Sequence, residues 1–476
     1  MNTQTLPRLL PLLAALVLAG CASALPPLPR GVDAPPQFKE QRHTAQGPEA
    51  RWTTAPPAEG EDRGAWWRAF GDPVLDALMA RANAGNTDIQ QAAARLAQAH
   101  ALLRGAQADR APQLGAGASV ERAAGGVNGA APATWQQAGL NLSYELDLFG
   151  RLARAQDAAA LDAQARQALL QSTRLLVQAD LAQSYLALRA TDTERQLMRD
   201  TARAYADTLR LTQRRFEAGD VAELDLIRIQ TELAATEAEL IALERARTQQ
   251  EHALAVLLGE LPTGFALPAV EAEARTLPQI PAGVPATVLA RRPDVAAAQA
   301  ALLAAQARVG VAQTAWFPRL SLTGAAGVAS PELGELFQWS ARAWGVGALL
   351  SLPLFDGGRR EAGVQSASAQ LDAAAAQHRA QVLQALREVE DQLAALRLLG
   401  EQALAQGRAV SAAQRASALS DTRYRNGLVS QLELLDARRN ELLQKRQAQR
   451  VAAAQAQATV GLVRALGGGW GEAPGG

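Results

Sequence analysis

"NLSYELDLFG", residues 141–150, decides how this chain is read. With Leu140 just before it, Leu142, Tyr144, Leu146 and Leu148 fall on one face of an extended strand. Asn141, Ser143, Glu145 and Asp147 fall on the other. Alternation with a period of two is the mark of a strand whose faces meet different surroundings. The segments on either side are alanine-rich and follow a helical period, so a two-faced strand inside them needs a reason.

Three other stretches alternate in the same way. Residues 113–121 place Leu114, Ala116, Ala118 and Val120 on one face. A third stretch carries Leu320, Leu322, Ala326 and Val328, and a fourth carries Trp344, Val346, Ala348, Leu350, Leu352 and Leu354. The opposite faces are polar or small: Arg319, Ser321, Thr323, Gly345, Gly347 and Ser351. Strands of about 9–11 residues have the length a tilted strand needs to cross a bilayer. Apolar outside and polar inside is the pattern of a membrane barrel around water. A half-buried soluble sheet alternates too, so periodicity leaves both readings open. Four strands close no membrane barrel, since these begin at about eight strands. An open edge in lipid costs several kcal/mol for each unpaired backbone group. The strands would therefore have to be completed by further copies of the chain.

The chain repeats itself. Asp88 and Pro112 match Asp294 and Pro318, and Phe149 matches Phe355, all at an offset of 206. Arg215-Phe216-x-x-Gly219 matches Arg423-Tyr424-x-x-Gly427, and Leu258-Gly259 matches Leu466-Gly467, at an offset of 208. One insertion at Asp356-Gly357-Gly358, against the single Gly150, reconciles every landmark. An internal duplication of this kind precedes any choice of fold. Each half reads as a helix ending before a proline, two strands, a long helix over 151–216 or 359–424, a glycine turn, and a return helix over 223–258 or 431–466. The long helices should extend roughly 100 Å. In the first return helix, Leu226, Ile229, Leu233, Leu240, Leu243, Leu254 and Leu257 fit an a/d heptad, which argues for supercoiled packing.

Composition excludes several classes. Forty-seven basic residues balance 47 acidic ones, so nothing points to nucleic acid. Aromatics make up 4%, few for a thick globular core. A single cysteine rules out an intramolecular disulfide, and His43, His100, His252 and His378 lack metal-ligand spacing. No phosphate loop or nucleophile motif is present, so neither a cofactor nor an enzymatic reaction is expected.

Residues 1–21 carry Arg8, an apolar run from Leu9 to Leu18, and Leu18-Ala19-Gly20-Cys21. The run is too short to span a bilayer stably. It resembles the bacterial lipoprotein signal, which implies lipidation of Cys21 as the mature N-terminus. The absence of Asp after that cysteine then favours the outer membrane. The expected organisation is a signal peptide (1–20), a lipidated extended tether (21–60), a first repeat (61–271), a linker (272–285), a second repeat (286–468) and a tail (469–476).

Taken together, WWRAFGDPVLDALMARA (66–82), YELDLFGR (144–151), RFEAGD (215–220), the stretch from Arg291 to Gly324, LPLFDGGRR (352–360), RYRNGLVSQLELLDARR (423–439) and ALGGGW (465–470) carry a resemblance. The chain resembles the TolC-like outer-membrane efflux factors, in their NodT-type lipoprotein branch, over about residues 60–470. The resemblance implies a mixed, mainly α fold. It implies a homotrimer whose twelve-stranded transmembrane β-barrel, four strands per chain, continues into a hollow α-helical periplasmic barrel. A mixed girdle would draw on 61–85, 260–290 and the C-terminal end. The implied partners are a periplasmic adaptor, an inner-membrane pump of the resistance-nodulation-division type, and outer-membrane lipid. The implied function is a passive exit duct for small molecules. The outer-membrane component of type I protein secretion and a periplasmic coiled-coil scaffold are the alternatives. A neighbouring ABC exporter gene would favour the first, and a monomer or dimer whose strands never enter lipid the second.

The turns Ala218-Gly219-Asp220 and Asn426-Gly427-Leu428 lie at the far end of the long helices. Gly219 and Gly427 suit the left-handed position after a helix. Asp220 with Glu223, and Ser430 with Glu433, have the spacing of capping boxes. By the resemblance, these tips touch the adaptor and close the tunnel. Glu433 and Asp436 share a helix face, and counting from Tyr424 and Gly427 they fall where the family carries a constricting acidic ring. A solvated charged face is the other reading of that pair. The first repeat has Asp225 and Arg228 at the matching places, so any ring comes from the second repeat alone.

Overall fold

A computed structural model describes residues 26–28, 35–40, 64–124, 132–269, 277–278, 280 and 285–468. In chain order the main elements are α1 (Pro73–Gly85), α2 (Thr87–Ala108), β1 (Gln113–Ala123), β2 (Ala133–Leu146), α3 (Arg151–Glu217) and α4 (Glu223–Leu258). They continue with α5 (Pro285–Arg291), α6 (Pro293–Gln313), β3 (Arg319–Ser330), β4 (Arg342–Ser351), α7 (Arg359–Arg425) and α8 (Gln431–Ala465). The duplication is visible in the lengths. Helices α3 and α7 each have 67 residues, and the return helices have 36 and 35. The expected ends of these four helices are met within a residue.

The first helix of each repeat stops earlier than expected. Helix α2 ends at Ala108, and the Gln113 side chain donates to the freed carbonyl of Ala108 at 2.8 Å. Helix α6 ends at Gln313, and a 3-10 turn, Thr314–Trp316, fills the gap before Pro318. The proline therefore opens the strand rather than closing the helix.

The chain divides into two compact units, each drawn from both repeats. The first comprises 1–32, 94–167 and 297–380, and it holds the sheet. The strands pair antiparallel in the order β1-β2-β3-β4, so the central pair, β2 with β3, joins the two repeats. The strand of the opening motif is displaced toward the N-terminus. It begins at Ala133 and ends at Leu146 instead of running to Leu148. The cause is Asp147, whose carboxylate accepts from the backbone N–H of Leu152 (3.0 Å) and Ala153 (2.7 Å). An acidic cap there satisfies the orphan donors of α3 and turns the chain. Arg151 grips Glu145 with two bonds of 3.0 and 2.8 Å across the same corner. Strand β4 likewise stops at Ser351, leaving Leu352 and Leu354 outside it. Asp356 caps α7 as Asp147 caps α3, accepting from the N–H of Gly358 and of Arg360, each at 3.1 Å. In the same unit, Leu302, Ala305 and Val309 of α6 pack on Leu371 of α7, flanked by Ala367, Ala374 and Ala375. Alanine at these places lets the two backbones approach closely.

The second unit comprises 33–93, 168–296 and 381–476. Asp72 caps α1 and also accepts the Tyr185 hydroxyl at 2.6 Å. A core of Phe38, Val288, Val389, Leu462, Ala465 and Leu466 sits where α5, α7 and α8 meet. Phe38 lies within the stretch read as an extended tether, yet it is 1% exposed. The backbone N–H groups of Lys39 and Glu40 donate to the Glu390 carboxylate (2.6 and 3.0 Å), and Arg397 pairs with Glu40 at 2.8 Å. Residues 35–40 are thus docked on the body. Elsewhere in this unit Asp192, whose side chain is 2% exposed, holds Arg189, Arg195 and Arg247 within 3.2 Å. Arg189 also donates to the carbonyl of Pro268 at 2.7 Å, which pins the chain beyond α4.

Candidate functional site

The register of the sheet aligns the apolar faces of all four strands. Leu114 opposes Leu142, Ala116 opposes Leu140, and Leu140 in turn opposes Ala326, which opposes Trp344. Leu146, Leu320 and Leu350 form a similar row. On the other face, Ser143 lies opposite Gln113 and Thr323, and Thr323 opposite Gly347. A slip of one residue at any pair would mix the two faces. Tight glycine packing holds the central pair. Gly139 and Gly327 stand opposite each other, and a Cβ on Gly327 would lie 2.4 Å from the carbonyl oxygen of Ala138.

The apolar face is bare. Leu114 is 69% exposed, Trp344 79% and Val346 81%, and every residue of β4 is exposed. A contiguous exposed apolar face of this size marks a surface made for something other than water. Aromatic side chains stand at both ends of it. Phe337, Trp339 and Trp344 lie at the loop end, and Trp316 with the stacked rings of Phe149 and Phe317 (4.8 Å) at the helix end. Aromatic girdles at two levels bracket the apolar band of a membrane barrel. Strands β1 and β4 are edges whose outer backbone groups have no partner among the described residues.

The hairpin tips belong to the second unit. Gly219 (φ 78°) and Gly427 (φ 71°) occupy the left-handed region that only glycine enters without strain. Each turn closes with the same pair of bonds. Gly219 and Asp220 donate to the carbonyls of Phe216 (2.9 Å) and Arg215 (2.7 Å). Gly427 and Leu428 donate to those of Tyr424 (3.0 Å) and Arg423 (2.9 Å). Neither of the two expected capping boxes forms in full among the described residues. The cap of α4 is Ala222, with no side-chain bond, because the helix begins at Glu223 and leaves Asp220 two residues before the cap position. Ser430 does cap α8, accepting from the Glu433 N–H at 3.3 Å. The Glu433 carboxylate faces Arg423 at 3.8 Å instead of completing the box.

Glu433 and Asp436 lie on the exposed side of α8, opposite the buried Gln431, Leu434 and Leu435. Asp436 reaches Arg439 at 3.4 Å. Tyr424 is half-buried, and its hydroxyl accepts from Arg215 at 3.2 Å. These three residues therefore occupy one stretch of the second hairpin, each facing a different arginine. Leu428 is 67% exposed at the tip.

Several tip residues escaped the sequence reading. Gln431 is 3% exposed and donates to Thr212 Oγ1 and the Asp225 carbonyl, both at 3.4 Å. Arg438 donates to Thr208 (3.1 Å) and to Asp421 (2.8 Å), and Arg425 holds the same Asp421 at 2.7 Å. Arg439 pairs with Glu232, and that bond holds the guanidinium charged above its ordinary range. Tyr205 is buried with Ile229 and Leu435. Burial, then the charge of Glu232, keeps its hydroxyl neutral beyond the usual tyrosine range. Apart from Arg425–Asp421, an i,i+4 pair on α7, these ties run between the two hairpins or across a turn. Local spacing carries no signal for them, because it does not say which helices become neighbours.

A sequence model described as outer membrane efflux protein matches residues 78–260 and 284–468. The antibiotic efflux pump outer membrane protein ArpC of Pseudomonas putida is 33% identical over 474 residues, covering 97% of this chain and 95% of that protein. The cation efflux system protein CusC of Escherichia coli is 29% identical over 464 residues, covering 97% and 99%. Among solved structures, the outer-membrane channel OprN matches with a TM-score of 0.85 at 31% identity, over 94% of this chain and 99% of that one. The outer membrane protein VceC of Vibrio cholerae matches with a TM-score of 0.79 at 27% identity, over 85% and 99%.

Proposed function

The chain belongs to the outer membrane efflux protein family, and we propose that copies of it join edge to edge as a homotrimer into one continuous exit duct. It is the outer-membrane channel of an efflux pump, which sets aside the scaffold alternative. The observation that carries the proposal is the four-stranded sheet with a bare apolar face and two open edges. In lipid those edges must be paired. Edge β4 of one copy beside β1 of the next continues the antiparallel order, and three copies supply twelve strands. The polar and small face then lines water, and the apolar face meets lipid. The helices carry the passage through the periplasm.

In this reading the duct is passive and has no catalytic step. An inner-membrane pump of the resistance-nodulation-division type supplies the energy, and a periplasmic adaptor binds at Gly219, Asp220, Gly427 and Leu428. Glu433, Asp436 and Tyr424 constrict the tip, with two exposed carboxylates from each chain facing a common axis. Mutual repulsion there favours cations at the constriction. Cys21, which lies outside the described residues, carries the lipid. The mass of the detergent-extracted complex tests the assembly. Three copies of the 50.1 kDa chain give about 150 kDa of protein. A monomer would leave the edges unpaired and overturn the duct.

A further inference from the structure

The loop end of the lipid-facing surface carries two arginines. Arg122 follows Leu114, Ala116, Ala118 and Val120 on the apolar face of β1, one residue before that strand ends. Arg342 opens β4 on the same face, followed by Trp344, Val346, Ala348 and Leu350. The inner strands β2 and β3 end there in neutral residues, Thr134 and Ser330. Both guanidiniums belong to exposed residues, and among the described residues neither lies within 4 Å of a carboxylate. Residues 124–132, which follow Arg122, contain no acidic residue. Arg342 lies 3.6 Å from the ring centroid of Trp339, which is 78% exposed. A cation on an outward-facing indole is the composition of a membrane interface.

Strands β1 and β4 are the two edges. In a ring of copies, Arg342 of one chain and Arg122 of the next flank the same seam, each toward the loop end of its strand. Two like charges then flank each seam at the border of the hydrocarbon; Glu332 and Glu335 share the β3–β4 loop, but among the described residues no carboxylate lies within 4 Å of either guanidinium. Basic side chains at the membrane surface attract anionic headgroups. A phosphate offers the bidentate acceptor that guanidinium geometry prefers.

We propose that each seam of the barrel is a binding site for a phosphorylated lipid of the outer leaflet. Arg342 and Arg122 of adjacent copies clamp the headgroup phosphate, and Trp344 and Val346 contact its acyl chains. The lipid bridges the junction between copies, so the site exists only in the assembly. This inference rests on the trimeric reading above.

Native mass spectrometry of the delipidated complex, with lipid A or its dephosphorylated form added back, tests it. The expected result is one lipid A per seam and about tenfold weaker retention of the dephosphorylated form, from the loss of the paired phosphate contacts. The double variant Arg122→Gln, Arg342→Gln should lose that preference, and the double lysine variant should keep part of it. Equal retention of both lipids by the unaltered trimer would overturn the seam site while leaving the trimer standing. A complex that is never trimeric in the same spectra would overturn the closure reading and the site with it.

Discussion

Residues 215–220 and 423–428 close on the same backbone bonds around Gly219 and Gly427, yet the helices beyond them are dressed differently. Past the first turn, Asp225 is answered by Arg228 on its own helix at 3.5 Å. Past the second, the matching places hold Glu433 and Asp436, two acids on the exposed side of α8. Leu435 is 2% exposed against Tyr205 and Ile229, whereas its counterpart Ile227 is 49% exposed. Arg438, Arg439 and Gln431 all reach from the second hairpin to the first. Duplication supplied two copies of one hairpin. One became the support, and the other became the part that is held and charged.

The largest expected contrast is in packing. Leu435→Ala should cost about 2–4 kcal/mol of local stability, as filled core sites do. Hydrogen exchange at the tip reads this directly. Ile227→Ala should cost under about 1 kcal/mol. A loss at Ile227 as large as at Leu435 would mean that another chain covers it in the assembly.

Next comes the tie between hairpins. Arg439→Gln leaves Glu232, whose side chain is 12% exposed, without its guanidinium. The expected cost is about 1–2 kcal/mol, with easier separation of the tips seen as higher single-channel conductance. Thr231, the matching residue of the first repeat, is exposed and bonds only the Ile227 carbonyl of its own helix. Thr231→Ala should change stability by no more than about 0.5 kcal/mol.

Asp436→Ala should barely alter stability, within about 0.5 kcal/mol for an exposed pair. It should still lower cation selectivity and raise vancomycin sensitivity if the carboxylates face a common axis. Unchanged conductance and sensitivity would make Glu433 and Asp436 a solvated face and nothing more. The smallest effect belongs to Asp225→Ala. The partly exposed pair it breaks is internal to α4, and neither conductance nor thermal stability should move measurably.

The helices and their turns were legible because glycines, prolines and a 67-residue helical pattern are local signals. The alternation of the strands was legible for the same reason. Their ends were not. The corner at Asp147 depends on a carboxylate turning back to cap α3, and residues 147 and 148 continue the alternating pattern past it. Nor was the order of the sheet legible, because pairing β2 with β3 joins residues as far apart in sequence as Tyr144 and Leu322 and nothing in either strand names its neighbour. Phe38 lay in a stretch of proline and polar residues that reads as a tether, and only the pocket formed by α5, α7 and α8 explains it. At the tip, spacing suggested that Asp220 caps α4, but the helix begins at Glu223 and the cap position falls on Ala222. The ties from Gln431, Arg438 and Arg439 belong to contacts between helices, which no single helix encodes.

The central claim is that the sheet is a portion of a water-filled pore in lipid. Single cysteines at Leu140, Asn141, Leu142 and Ser143, introduced one at a time in the outer membrane, test it most directly. A membrane-impermeant thiol reagent should label Asn141→Cys and Ser143→Cys and spare Leu140→Cys and Leu142→Cys. Labelling of all four at similar rates would place both faces of the sheet in water and contradict the pore.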